Sequence, residues 1–250
     1  MDFFNRIAEH THLLNKSDNE ILSYCIRNNQ AIAGMKIQEL AEALYISPAS
    51  VIRFCKKLGF SGFSEFKAAL KMEVMQHPEK RESEVRSIDF LKDINKTIQL
   101  IHEDSIEQIL ELIHTKKRIE IYAVGSSRMA ANEFAKRLQI LGKAAFCYDD
   151  SSLMNISAGQ LSGEDLVIAL SASGETSLVI TAANMAKSRG AAIVSITNLG
   201  SSTLSDMADV NVYVHSTCFA KAGITVRSRV QLLIVCEYIF FRYLEGYTCD

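Results

Sequence analysis

Hydroxyl and glycine residues cluster in two short segments of the chain, each directly after an apolar run. One is Gly125-Ser126-Ser127 and the other is the string SASGET at 171–176. Hydroxyl groups donate to phosphate oxygens, glycine lets the main chain approach an anion closely, and the free N–H groups of a helix start attract anions. The residues predicted to bind a phosphate group are Gly125, Ser126, Ser127, Ser171, Ser173, Gly174 and Thr176.

These segments do not match the glycine motifs of nucleotide-binding proteins. SASGET lacks the Gly-Lys-Ser/Thr ending of a P-loop, which argues against nucleoside triphosphate hydrolysis, and the dinucleotide pattern G-x-G-x-x-G appears nowhere. We therefore expect no cofactor. Serine and glycine are also ordinary loop residues, and that interpretation suffices for Gly125-Ser126-Ser127 taken alone. The clustered hydroxyls of SASGET are more specific.

Polar and basic residues recur on one side of a short predicted helix in the first half of the chain. Ser47 can cap this helix, Pro48 suits its first position, and Gly59 suits the residue that follows its end. Arg53 can bond a guanine edge or a phosphate, and Ser50 can reach a base edge or the DNA backbone. A helical bundle with a solvated basic face would show the same pattern.

The elements before Pro78 have helical periodicity. Ser17 and Glu20 match a capping box, and Ile37, Leu40 and Leu44 give the next helix one apolar side. A short helix, a tight turn and a second helix with a basic outer side form a helix-turn-helix, whose second helix enters the major groove. The first half therefore predicts an all-α DNA-binding domain.

The second half alternates short apolar runs with amphipathic stretches. The predicted strands are 119–124, 144–148, 166–170, 192–196 and 210–214. This alternation is typical of a doubly wound, five-stranded parallel sheet in an α/β domain. Both hydroxyl-rich segments follow strands, and open α/β sheets bind ligands at the carboxyl ends of their strands. The segment 225–247 predicts one long apolar helix.

Composition limits the other functions of the chain. The net charge is −2, and 48% of the 250 residues are hydrophobic, so any DNA site depends on local clustering of basic residues. None of the six cysteines forms a C-x-x-C pair, so we expect free thiols in a reducing cytoplasm and no metal site. The sequence shows neither a secretory signal nor a membrane span, so we expect no membrane partner.

The chain resembles a known family in both halves. The segment ISPASVIRFCKKLGFSGFSEFK is similar to the recognition helix and following turn of RpiR-type transcription regulators, and the match extends over most of residues 1–75. Residues from about 105 to 247 resemble a SIS (sugar isomerase) domain, with SASGET as its phosphate loop. This resemblance implies a helix-turn-helix domain at 1–77, a linker at 78–104 and a SIS phosphosugar-binding domain at 105–250. It implies DNA contacts by Ser47, Ser50, Arg53, Lys56, Lys57 and Lys67.

The resemblance also implies a function. It predicts a homodimeric or homotetrameric regulator of sugar metabolism genes that binds an inverted-repeat operator under the control of a phosphorylated sugar. The chain departs from the family's G-x-G-x-S loop at Ala123, which predicts a narrower pocket on that side. A phosphosugar isomerase is the alternative, with Glu133, Glu175 or His215 as its base. None of these three lies in a recognisable catalytic pattern, so we predict no catalytic residue.

Overall fold

The chain folds into two units. The computed structural model describes residues 3–10, 13–32, 34–76, 87–148, 150–221 and 224–247. The first unit is formed by residues 1–85 and 220–222, and the second by residues 86–219 and 223–250. No helix in the described ranges has the length and apolar character needed to cross a membrane.

The first unit is all-α, as the sequence predicts. Its helices are α1 (Phe3–His10), α2 (Lys16–Arg27), α3 (Asn29–Ile32), α4 (Ile37–Ala43), α5 (Pro48–Lys57) and α6 (Phe63–Gln76). Aromatic rings dominate its core: the buried Phe66 ring lies 5.4–5.6 Å from the rings of Phe3, Phe54 and Phe60. These contacts hold α5 against α6 and leave its other side exposed.

Of the two helix caps predicted in this unit, one is wrong and one is confirmed. The predicted capping box at Ser17 and Glu20 is wrong, because α2 begins two residues earlier than that cap requires. Asn15 caps it: its side chain accepts the N–H of Asp18 at 2.9 Å, and the Asp18 carboxylate accepts the N–H of Asn15 at 3.1 Å. The predicted start of α5 is confirmed, with Ser47 as the cap and Pro48 in the first turn.

The second unit contains a five-stranded parallel sheet, as the apolar runs predict. Its strands are β1 (Arg118–Tyr122), β2 (Ala145–Cys147), β3 (Asp165–Ser171), β4 (Ala192–Asn198) and β5 (Val210–Val214), in the order β2-β1-β3-β4-β5. The helices are α7 (Ser87–Gln99), α8 (Glu103–Thr115), α9 (Arg128–Ile140), α10 (Ser151–Ala158), α11 (Ser177–Ser188), α12 (Thr203–Met207) and α13 (Val230–Tyr247). This strand order reverses direction between β1 and β3, where doubly wound sheets bind ligands.

Helices cover both faces of the sheet. Alternate strand residues such as Ile121 and Ile168 join a core with α8, α9 and α13. Their neighbours Tyr122 and Val167 join a second core with α10 and α11. The central strands β1, β3 and β4 are therefore buried on both faces, and this explains the largely apolar runs in the sequence.

Two segments differ from their expected structure. Residues 78–86 of the linker expected at 78–104 lie outside the described residues, and 87–99 form α7. This helix packs in the second unit, where the Asp93 carboxylate accepts the N–H and the hydroxyl of Thr217 at 2.7 and 2.9 Å. The single helix expected at 225–247 is wrong at its start. A ribbon of β6 (Cys218–Lys221) and β7 (Ile224–Arg227) precedes α13, which begins only at Val230.

Candidate functional site

A string of polar side chains lies along the exposed side of α5. The Ser47 and Ser50 hydroxyls are 3.0 Å apart, and the Arg53 guanidinium donates to the Ser50 hydroxyl at 2.9 Å. Lys56 is exposed one turn further along the helix. The string therefore presents hydroxyl, guanidinium and ammonium donors to a nucleic acid from one side of one helix.

Lys57 differs from the other predicted DNA-contact residues. Its ammonium group pairs with the carboxylate of Asp18, which is buried and also caps α2. The pair connects α5 to α2. Lys57 therefore has a structural partner within its own unit.

Three lysines from different elements line an open groove of about 650 Å³ beside α5. They are Lys36 before α4, Lys56 on α5 and Lys67 on α6, and Lys67 donates to the Met35 carbonyl at 3.0 Å. Clustered ammonium groups beside two helix starts suit a DNA phosphate. Lys36 was not predicted from the sequence, because only the fold brings it near Lys56.

The turn between α4 and α5 contains a strained aromatic residue. Tyr45 has φ of 55°, a left-handed conformation that disfavours bulky side chains, and 97% of it is exposed. It directly precedes the polar string of α5. Strained backbone of this kind is concentrated in functional regions of proteins.

The SASGET loop brings three of the predicted phosphate-binding hydroxyls together. The Ser171 hydroxyl lies 2.9 Å from that of Thr176 and 3.4 Å from that of Ser173. Thr176 is the first residue before α11, and no side chain caps this helix start. The free N–H groups of α11 and three hydroxyls therefore converge at the end of β3.

Gly174 forms the tight turn of this loop. Its φ is +67°, and a Cβ atom added to it would lie 2.0 Å from the Ser202 hydroxyl oxygen. Its carbonyl accepts the N–H of Leu204 at 3.1 Å, so the loop is held against the start of α12. Both the conformation and the close approach require glycine at this position.

The other hydroxyl-rich loop connects β1 to α9. Gly125, with φ of +63°, and Ser126 are exposed, whereas Ser127 is buried and accepts a hydrogen bond from Arg229 at 3.2 Å. Strands β1 and β3 are neighbours, with Tyr122 opposite Ala169. The two predicted phosphate loops therefore leave the sheet side by side.

The fold adds residues that the sequence analysis did not select. Thr197, at the end of β4, lies opposite Ser171, and its buried hydroxyl has no hydrogen-bond partner among the described residues. Arg227 donates to the Ala172 carbonyl of the SASGET loop at 3.3 Å. Polar residues at the ends of strands are the signal that would have found Thr197.

A cavity of about 210 Å³ lies beside the two loops. Ala123, Arg128, Tyr148 and Leu178 are among its lining residues. A buried network positions the Tyr148 hydroxyl, which donates to the fully buried Glu120 carboxylate at 3.1 Å. The cavity provides polar and apolar surface next to the phosphate loops.

The three residues considered as an isomerase base have structural partners. The Glu175 carboxylate accepts the N–H and the hydroxyl of Thr203, both at 2.8 Å, and Glu133 pairs with Arg137 at 3.1 Å. Burial, with the charges of Lys96 and Arg227, lowers the pKa of His215 to about 3. The Glu175 and Glu133 carboxylates therefore stabilise helices, and the buried His215 ring has its Nε2 3.5 Å from the Asp93 carboxylate.

Comparisons with known proteins agree with this architecture. The family model for the rpiR-family helix-turn-helix domain matches residues 1–77, and that for the SIS domain matches residues 112–237. The transcriptional regulator GlvR of Bacillus subtilis is 28% identical over 246 residues, covering 96% of this chain and 94% of GlvR. The regulator RpiR of Escherichia coli K12 is 26% identical over 208 residues, covering 78% and 70% of the two chains.

A solved structure matches the chain over nearly its whole length. Vibrio vulnificus NanR, in complex with ManNAc-6P, has a TM-score of 0.61 and 27% identity, and the match covers 98% of this chain and 92% of NanR. The relatives that match along their length are named as transcription regulators, which decides between regulator and isomerase in favour of the regulator. The chain therefore belongs to the RpiR family of transcription regulators, with an rpiR-type helix-turn-helix domain followed by a SIS domain.

Proposed function

We propose that this regulator binds an inverted-repeat operator through α5 and that a phosphorylated sugar in the SIS domain controls this binding. The observation that carries the proposal is the convergence of the Ser171, Ser173 and Thr176 hydroxyls at the start of α11. NanR, which matches 98% of this chain, is complexed with ManNAc-6P in its solved structure. The regulated genes would be genes of sugar metabolism, and the protein would act in the cytoplasm, where the chromosome lies.

The proposed control is thermodynamic linkage between two sites. A sugar phosphate that binds one arrangement of paired subunits more tightly shifts the population toward that arrangement. The spacing of two α5 helices must match operator half-sites about one DNA turn apart. A change of this spacing therefore changes operator affinity without any contact between the ligand and DNA.

A thermal-shift screen tests the ligand class. The full chain is heated with ManNAc-6P, glucose 6-phosphate, ribose 5-phosphate, the corresponding free sugars and inorganic phosphate. A ligand at a hundred times its Kd stabilises the fold by about 2.7 kcal/mol, so a specific sugar phosphate raises Tm by several degrees. If sugar phosphates raise Tm no more than free sugars, the proposed ligand class is wrong.

The polar string on α5 leads to a prediction about DNA. Arg53→Ala should lower affinity for a duplex selected by the wild-type chain from a random library by about 1–3 kcal/mol, because Arg53 is placed to read a base edge. Lys56→Ala should weaken all duplexes alike and reduce the slope of log K against log salt by about 1. Fluorescence anisotropy over a salt series measures both quantities.

Lys57→Ala is the matched control on the same helix. Loss of the Lys57 ammonium group leaves the buried Asp18 carboxylate without its charged partner. This should lower the free energy of unfolding by about 1–3 kcal/mol. At a temperature where the variant is folded, DNA affinity should fall less than in Arg53→Ala. If Arg53→Ala binds the selected duplex as tightly as wild type, α5 is not the reading helix.

Self-association is proposed to occur through α10 and α11. The segments 151–163 and 176–186 contain no charged residue, although 22% of the chain is charged. Four large apolar side chains of these helices are exposed: Leu153, Ile156, Leu178 and Met185. The helices on the other face carry ion pairs, such as Arg137 with Glu237 at 3.3 Å. Because a two-fold axis places a surface against itself, an uncharged surface pairs without like-charge repulsion.

The wild-type chain should therefore sediment as a dimer or tetramer at micromolar concentration, and Ile156→Asp should dissociate it. Ile140→Asp is the control, because Ile140 is even more exposed, at 77% against 60%, but ends α9 on the other face. Sedimentation velocity distinguishes the variants. A monomeric wild type, or equal effects of the two substitutions, would contradict the proposed surface.

A further inference from the structure

Two arginines, Arg227 at the end of β7 and Arg229 just before α13, contact the two predicted phosphate loops. Arg227 donates to the Ala172 carbonyl in the SASGET loop at 3.3 Å, and Arg229 donates to the Ser127 hydroxyl in the first loop at 3.2 Å. A hydrogen bond within this stretch connects the two residues, since Arg229 also donates to the Arg227 carbonyl at 2.8 Å. One short stretch of chain therefore brings two cations to the ends of β1 and β3.

Neither cation is neutralised within the described part of the chain. The acceptors of Arg227 and Arg229 are main-chain carbonyls and one hydroxyl, and no carboxylate there forms an ion pair with either. Both side chains are half-buried. Burial and the neighbouring charge of Arg227 lower the pKa of the Arg229 guanidinium. Two half-buried like charges are an unfavourable arrangement that an anion placed between them would relieve.

The segments Gly125-Ser126-Ser127 and SASGET supply hydrogen bonds but contain no basic residue. Ser171, Ser173 and Thr176 offer hydroxyls, and the Thr197 hydroxyl is buried beside them with no hydrogen-bond partner among the described residues. Glu175 is the acidic residue of the loop, and Thr203 holds its carboxylate. A doubly charged phosphate monoester needs cations as well as hydroxyls, and a guanidinium provides several donors in one plane.

We propose that Arg227 and Arg229 bind the phosphate group of the ligand, each from one loop, and so select a phosphate monoester dianion over neutral sugars and phosphodiesters. The inference rests on the proposed function, since it assigns further residues to the same site. On binding, each guanidinium exchanges a neutral acceptor for a phosphate oxygen. The ligand thus connects the β1 loop, the β3 loop and the 227–229 segment.

The test compares variants that remove charge but retain a donor. Arg229→Gln keeps an N–H donor at the position of the Arg229 Nε that bonds Ser127, whereas Arg227→Gln ends short of the Nη1 that bonds Ala172, so Arg227→Lys is the variant that keeps a donor of similar reach there. Each should weaken binding of inorganic phosphate, and of the sugar phosphate with the largest shift in Tm, by about tenfold or more. Arg227→Lys, which keeps the charge without the planar group, should recover part of the loss. Isothermal titration calorimetry on the full chain measures the affinities.

Two controls separate the possible failures. Arg242→Gln removes the same charge from α13, where Arg242 pairs with Glu103 and Glu107, and should leave phosphate affinity unchanged. Ser171→Ala reports on the proposed site itself. If Ser171→Ala weakens binding while folded Arg227→Gln and Arg229→Gln bind as wild type does, the arginine assignment is wrong and the proposed site stands. If wild type binds no phosphate compound, both are wrong.

Discussion

The double substitution Ser171→Ala, Ser173→Ala should weaken sugar phosphate binding by about a hundredfold or more. A hydrogen bond to a charged group contributes about 1.5–3 kcal/mol, and 1.4 kcal/mol corresponds to a tenfold change in Kd. Ser171 also accepts the N–H of Gly174 at 3.1 Å, so its loss loosens the turn as well as removing a donor. Titration calorimetry with the ligand found by thermal shift measures the change.

A measurement of DNA affinity distinguishes a variant that has lost ligand binding from one that has lost its fold. Without ligand, the double variant should bind the selected duplex as wild type does, because the helix-turn-helix is unchanged. With ligand, its DNA affinity should no longer respond. Ser188→Ala is the control, because Ser188 is an exposed hydroxyl at the other end of α11. Unchanged ligand affinity in the folded double variant would show that the phosphate binds elsewhere.

The sequence predicts the phosphate loops because their signal is local. The central strands β1 and β3 are buried on both faces, so each appears as a largely apolar run, and the hydroxyls follow within a few residues. The five predicted strands overlap β1 to β5, with ends that differ by two residues or fewer. Parallel strand order then places SASGET and Gly125-Ser126-Ser127 at one edge of the sheet.

The residues that sequence reasoning missed reach the site through distant contacts. Arg227 lies 55 positions beyond Ala172, and Arg229 lies 102 beyond Ser127. The apolar pattern after Thr225 favours a helix, but β7 precedes it and turns both arginines toward the loops. Periodicity reports which side of an element is buried and not which loop a side chain reaches.

In the DNA-binding half, too, local features could be predicted from the sequence, whereas contacts between distant residues could not. The cap at Ser47 and the turn at Gly59 were predictable, since both are short-range backbone requirements. The ion pair of Lys57 with Asp18 was not, because the two residues are 39 positions apart. On a helical wheel Lys57 lies near Arg53 and looks equally free. Packing of α2 against α5 distinguishes them.

Gly174→Ala should be the most destabilising single substitution in the site, at about 2–5 kcal/mol. The left-handed backbone costs an alanine about 1–2 kcal/mol, and overpacking adds about 1–3 kcal/mol. The new methyl group would lie 2.0 Å from the hydroxyl oxygen and 2.3 Å from the Cβ of Ser202, which caps α12. Relief of this clash requires the SASGET loop and the start of α12 to move apart.

Gly125→Ala is the matched control in the other loop. Gly125 has nearly the same φ, +63° against +67°, but an added Cβ would meet no atom within 4 Å. Gly125→Ala should therefore lower the free energy of unfolding only by the backbone penalty of the left-handed conformation, about 1–2 kcal/mol. Urea unfolding of the full chain, followed by circular dichroism, gives both values. Because the two substitutions share the backbone penalty, their difference measures the close approach of the loop to α12. Equal destabilisation would mean that Ser202 yields to the methyl group and that Gly174 is required for its φ alone.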